Sequence, residues 1–230
     1  MKRLAVFFLA LVLTTFVSFS ATAEVGEEIT FRGIPWGANV QEFKDAMEGV
    51  RLRQTQPLWE NYWATWNIPG SINGTNTDYQ VGFHLIADEP NFKVAGYDIQ
   101  YFYAYFFYGE TEDGKIDRSN EAARFHMAIY TFRFENVESA YADLKEKLTT
   151  LYGEGEQENK ESILWKGANS TEMRLIWSND ENNDYNYISI RYGKADMDEE
   201  LAHIDELARQ EQIAQEEQDR QDNADNTDGL

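Results

Sequence analysis

The sequence predicts an α+β fold: an antiparallel sheet with two helices packed on one face, followed by an acidic C-terminal helix and a disordered tail. Three observations carry that expectation. Apolar residues recur at helical spacing in three stretches, headed by Asn39, Asn136 and Asp196. Between them lie segments rich in Tyr, Phe and Ile with strand periodicity, separated by polar turns. Their order is helix, strands, helix, strands, helix, which suits helices laid over a hairpin-linked sheet.

The first helix is short. Asn39 offers a capping oxygen and Glu42 stands three residues on, as in a capping box; Val40, Phe43 and Met47 share a face, and Gly49 closes the turn. Val50 to Arg53 reads as a short strand, and Tyr79 to Ile86 as a second, with Tyr79, Val81, Phe83 and Leu85 on one side. Phe92 to Tyr108 reads as one long strand. Tyr97, Ile99, Tyr101, Tyr103, Tyr105 and Phe107 then point one way. Ala122 to Phe134 follows a turn containing Asp113-Gly114, a hairpin signal.

The second helix is the most regular element. Asn136 caps it, Val137, Ala140, Tyr141, Leu144, Leu148 and Leu151 form its stripe, and Gly153 ends it. Ser162 to Gly167, Thr171 to Trp177 and Tyr185 to Tyr192 complete the strands. The third helix starts at Asp196 and turns Met197, Leu201, Ile204 and Ala208 to one side; beyond Ala208 that side fails, and a solvated, coiled-coil-like helix is expected. The expected division is therefore a leader over 1–23, one domain over 24–194, an acidic helix over 195–222 and a disordered tail over 223–230. Within the domain, 31–134 and 136–193 read as a degenerate helix-plus-strands repeat.

The leader is read from Lys2 and Arg3, an apolar run from Leu4 to Phe19, and Ala21-Thr22-Ala23, which presents small residues to a signal peptidase. It implies a secreted, extracytoplasmic protein with no membrane contact after cleavage. The chain has no Cys, which in an exported protein points to a bacterium and leaves the fold to live off its core. Six Trp, thirteen Tyr and fourteen Phe supply one. The full chain carries −21, and the leader holds two basic residues and no acid, so the chain after Ala23 carries −23. Such a polyanion repels nucleic acid and anionic membranes, which argues against both as partners.

Phe31-Arg32-Gly33-Ile34-Pro35-Trp36-Gly37, followed by a polar cap and a short helix, is similar to the repeat unit of the β-lactamase-inhibitor-protein-like fold, found also in small outer-membrane assembly lipoproteins. The second helix, ending Leu151-Tyr152-Gly153 with Trp165 beyond it, resembles the same unit. Together with Val94 to Tyr97 and the Asn226 to Leu230 ending, the layout also resembles small secreted proteins of gut Gram-positive bacteria to which no function attaches. The inhibitor family's disulfides and the lipoproteins' lipidated Cys are missing here. The resemblance implies a fold, and a habit of gripping another protein with a sheet face.

Candidate site residues are aromatic. Trp59, Tyr62, Trp63 and Trp66 cluster at helical spacing beside a Gly/Asn/Thr loop over 67–78. They can anchor a partner or stack on sugars, or else cover an end of the sheet. Tyr101 and Tyr103 belong to the Tyr ladder, which is either a contact surface or core beneath the helices. Acidic turns at Asn179 to Asp184 and Thr111 to Asn120 hold oxygens suited to calcium but lack a calcium loop's ligand register, so no metal is expected. There is no Gly-x-Ser-x-Gly, no His-Glu-x-x-His and no phosphate loop. His84 and His126 fall in different strands and His203 on the acidic helix. No catalytic residue and no cofactor is expected. The sequence reads as a protein- or peptide-binding module, with a carbohydrate or cell-wall module as the alternative and an extracellular hydrolase behind both.

Overall fold

The computed structural model describes residues 26–54, 81–87, 90, 92–179 and 186–225. Trp59, Tyr62, Trp63 and Trp66, the 67–78 loop, the leader, residues 180–184 of the acidic turn and the 226–230 ending lie outside the described residues.

Helix α1 (Val40–Ala46) carries the expected capping box: the Asn39 side chain accepts from Gln41 and Glu42 N–H, and the Asn39 N–H donates to Glu42 Oε2 at 2.8 Å. Strands β1 (Arg53–Gln54), β2 (Gly82–Ala87), β3 (Lys93–Val94), β4 (Tyr97–Asp98), β5 (Tyr101–Phe107), β6 (Gly109–Glu110), β7 (Ile116–Asp117) and β8 (Arg124–Phe134) follow. Then come α2 (Val137–Tyr152), strands β9 (Glu156–Asn159), β10 (Ser162–Lys166), β11 (Thr171–Asn179) and β12 (Asn186–Lys194), and α3 (Met197–Asp225). Among the described residues the protein is thus mixed α/β, with three helices and one large antiparallel sheet. Eight strands make that sheet, in the order β1-β2-β5-β8-β12-β11-β10-β9, every pair antiparallel. Each half is a meander, and the last strands of the two halves, β8 and β12, pair at the centre over Asn186↔Phe134 to Gly193↔Met127.

The single long strand expected over Phe92 to Tyr108 is broken. Ala95 and Gly96 take φ of 52° and 88°, which folds Val94 to Tyr97 into a two-residue hairpin turn between β3 and β4. Tyr97 therefore packs on the core, donating its hydroxyl to Asp143 of α2 at 2.7 Å, and Ile99 is buried in that core. A bulge follows: Tyr105 pairs with Met127 but Phe106 with Phe125, which leaves His126 as the extra residue. Beside it, a Cβ on Gly82 would stand 2.1 Å from the Phe106 carbonyl oxygen, so only glycine lets β2 come this close. Strand β9 escapes the sequence pattern because Glu156 to Asn159 contains no apolar residue.

The core centres on Phe31. Arg32 and Gly33, with φ of 54° and 74°, turn the chain so that Ile34 N–H donates back to Phe31 O at 2.9 Å. Both Phe31 and Ile34 drop into the core, and the Phe31 ring lies 5.3–6.0 Å from those of Tyr130, Phe102, Tyr192, Phe125 and Phe43. The guanidinium of Arg32 caps the Phe92 ring at 4.7 Å. Trp36 stacks on Phe125 at 5.1 Å and donates to Ile29 O, so it anchors strand β8. Val40 and Phe43 of α1 share one buried cluster with Ala140, Leu144 and Leu148 of α2 and Met197, Ile204 and Ala208 of α3.

Helix α3 runs past the expected limit at 222 to Asp225. Its exposed turns are laced by Gln212–Glu216, Gln215–Asp219 and Gln218–Asp222 hydrogen bonds, which sustain a helix without an apolar side. Just before it, Asp196 turns both oxygens to Lys194, and within it Arg209 donates to Glu206. No helix among the described residues is long and apolar enough to cross a membrane.

Candidate functional site

Alternation along β5 sends Phe102, Ala104 and Phe106 into the main core. Tyr101, Tyr103 and Tyr105 take the opposite side, with ring centroids 6.2 and 6.4 Å apart in succession. Tyr101 and Tyr103 are half-buried and Tyr105 is buried. The sheet brings Tyr103 opposite Ile86 and Ile129, and Tyr105 opposite His84 and Met127. Tyr105, Met127 and Ile129, with Tyr103 against them, form a second buried cluster separate from the main core, to which no described helix contributes a residue. Of the six ladder residues read from the sequence, three form this face. Tyr97 and Ile99 are lost to the hairpin, and Phe107, beyond the bulge, is in the core.

The same face continues across β8, β12 and β11 with polar residues that the sequence reading did not single out. Thr131 and Ser189 stand opposite each other, their hydroxyls 3.5 Å apart. Arg191 pairs in register with Ile129 on one side and Arg174 on the other. Both arginines are buried to 6% exposure. Arg174 is held between two carboxylates: its Nε reaches Glu158 at 3.2 Å, and its Nη1 pairs with Glu172. Arg191 Nε and Nη1 are covered and meet no acceptor. Burial pushes the Arg191 guanidinium down to about 10, with Arg174 adding to the fall and Tyr105, Glu172 and Glu158 opposing it. The available signal was local: Met173-Arg174-Leu175 and Ile190-Arg191-Tyr192 each set an arginine between core residues, which forces it onto the other side of a central strand.

His84 and His126 do not meet, because β5 runs between their strands. Burial drives both imidazoles down to about 4, with the Arg53 charge helping at His84, so both are neutral near neutral pH. His203 instead faces Glu110 at 2.9 Å, and Arg124 faces Glu200 at 3.2 Å. These pairs line a groove of about 360 Å³ between α3 and the ends of β5 and β8. With Arg118 and Ile116 N–H on Glu211, they tie α3 to the sheet. Within the Thr111 to Asn120 loop, Asp113 is taken by Thr111 and Lys115.

No known protein family, curated protein or solved structure matches the chain. The local chemistry therefore carries the functional argument. Among the described residues, the side of the sheet bearing Tyr101 and Tyr103 brings together apolar area, hydroxyls and cationic groups, most of them buried.

Proposed function

We propose that this chain is an exported protein- or peptide-binding module that holds its partner on the face of the sheet bearing Tyr101, Tyr103 and Tyr105. In this reading α1 and α2 both cover the opposite face. The observation that carries it is the second buried cluster, Tyr105, Met127 and Ile129 with Tyr103 against it, to which no described helix contributes. Tyr is well suited to such a surface, since it brings area and a hydroxyl while losing few rotamers on binding.

The strand order supports the repeat and the inhibitor-like resemblance as a reading. One helix followed by a four-stranded meander occurs twice, as α1 with β1-β2-β5-β8 and α2 with β9-β10-β11-β12, and β8 meets β12 at the centre. Two such units side by side give one broad sheet, wide enough to hold a segment of another protein.

The test uses a synthetic library of twelve-residue peptides and a glycan array, each probed with the wild-type chain and a Tyr101→Ser/Tyr103→Ser variant. Both tyrosines are half-buried on the face outside the core, so the variant keeps its far-UV circular dichroism and a cooperative melt. Peptide binding that the variant loses supports the proposal. Peptide binding indifferent to both tyrosines refutes this face, and binding confined to glycans moves the protein to the carbohydrate class. The carbohydrate reading rests on Trp59, Trp63 and Trp66, which lie outside the described residues.

A further inference from the structure

Beyond the sheet face, we infer that the groove between α3 and the ends of β5 and β8 is a second recognition site, which takes a lysine or arginine side chain from a basic segment of a partner protein. The groove holds about 360 Å³, at the small end of the roughly 300–1,000 Å³ that ligand sites occupy, which suits one long side chain. Two elements meet there without closing on each other. Past Phe107 the chain runs through Gly109, where a Cβ would stand 2.7 Å from the Ala122 carbonyl oxygen, so glycine lets this segment lie tight against the approach to β8. Helix α3 is held beside it by the buried Ile204, and by the His203–Glu110 and Arg124–Glu200 pairs that reach from helix to sheet.

The lining joins two kinds of chemistry. Phe107, Tyr108 and Ile204 supply its apolar part, and Glu110, Glu199, Glu200, Arg124 and His203 its charged part. All five charged residues are exposed, so a partner can reach them. With His203 neutral, three carboxylates face one guanidinium, which leaves the groove at −2. Glu199 has no ion-pair partner among the described residues. The pairs made by Glu110 and Glu200 are open to solvent, and such pairs are weak enough to give way to an incoming cation. An apolar wall beside surplus carboxylates matches a side chain with an apolar stem and a cationic head. The chain's charge of −21 adds to the attraction, drawing a basic segment and repelling an acidic one.

The probes are end-blocked peptides carrying one lysine or one arginine among neutral residues, each matched by a copy with methionine or citrulline in that place. Kd is measured by fluorescence anisotropy at physiological salt, and the His203 ring signals, assigned by their loss in His203→Gln, are followed by NMR. Cationic peptides should bind about tenfold or more tightly than their neutral copies and shift the His203 signals. Glu199→Gln/Glu200→Gln, which brings the groove to neutrality, should erase that preference, and Glu110→Gln should weaken it by about threefold. Glu216→Gln/Glu217→Gln removes the same charge about 24 Å further along α3, at 1.5 Å per residue, well beyond the Debye length of about 8 Å, and should change Kd by less than about twofold. Tyr101→Ser/Tyr103→Ser should leave this binding intact, so the groove and the tyrosine face fail separately. No preference for cationic peptides, or a preference that both glutamate pairs weaken equally, overturns the groove as a site. Binding that leaves the His203 signals in place overturns it as well. Spermidine that shifts those signals where no peptide does overturns the partner segment in favour of a small polyamine. Should Glu199→Gln/Glu200→Gln fail to fold, Glu110→Gln decides in its place.

Discussion

Replacing His84 and His126 together by Gln should flatten the acid limb of the stability curve. In the folded chain both imidazoles sit at about 4, against 6.5 for the free side chain. A lowered folded-state value means that, between about 4 and 6.5, the unfolded chain binds protons the folded chain refuses. Stability therefore rises with pH across that window, is complete above it, and drains away as pH falls. At about pH 5 the free imidazole is nearly all protonated and the buried one about a tenth protonated, which costs about 2 kcal/mol per histidine relative to neutral pH. The pair together is worth about 4 kcal/mol, a large share of a typical domain's 5–15 kcal/mol. Asp198 acts in the opposite sense. Burial raises its carboxyl to about 6 from 3.8, so its contribution is present at low pH and is lost as pH rises through that value. It is present in both proteins and cancels in the comparison. Urea unfolding at about pH 7.5 and pH 5 reads the result: wild type should lose about 4 kcal/mol more than the double variant over this span. Equal losses would mean that the two histidines are protonated in the native state, and that their burial has been misjudged.

Phe31→Ala should cost about 3–5 kcal/mol, measured by the shift in denaturant midpoint, since it empties the hub where five aromatic rings meet. Asn39→Ala should cost about 1 kcal/mol in the same assay by removing the acceptor for two N–H groups at the start of α1. Deleting Ile213 to Leu230 should leave the melting temperature within about 2 °C, because the last described tie between α3 and the body is Glu211 on Arg118 and Ile116. A larger fall would place the end of the helix in the folding unit. Glu211→Gln should cost no more than about 1 kcal/mol, as its partner Arg118 is exposed to solvent.

What proved legible was mostly local. Asn39 with Glu42, Asn136 and Gly153 mark helix ends through bonds closed within a few residues, and the structure places α1 and α2 where those signals stand. The strands announced themselves wherever apolar residues repeat, as in β8 and β12, and went unseen where none occur, as in β9. The hairpin at Ala95-Gly96 was missed because its flanks are as aromatic as the strand after it, and a positive φ on Ala95 has no reliable sequence mark. The bulge at Tyr105/Phe106 was equally hidden, since an extra residue exists only relative to a partner strand. Tyr101 and Tyr103 were found by alternation. Arg174 and Arg191 were not, because their meeting depends on which strands become neighbours.

The sequence by itself determined the three described helices, most of the described strands, an aromatic-rich chain without Cys, and an excess of acid. Each follows from residue type and short-range spacing, because helix caps, alternation and net charge act over a few residues or over none. Tertiary structure alone decided that β8 pairs with β12, that three ladder residues rather than six line one face, and that two arginines stand opposite each other with described ion pairs at only one of them. Those facts depend on register between segments tens of residues apart. A shift of one residue turns every side chain of a strand to the other face, so register decides which of them meet.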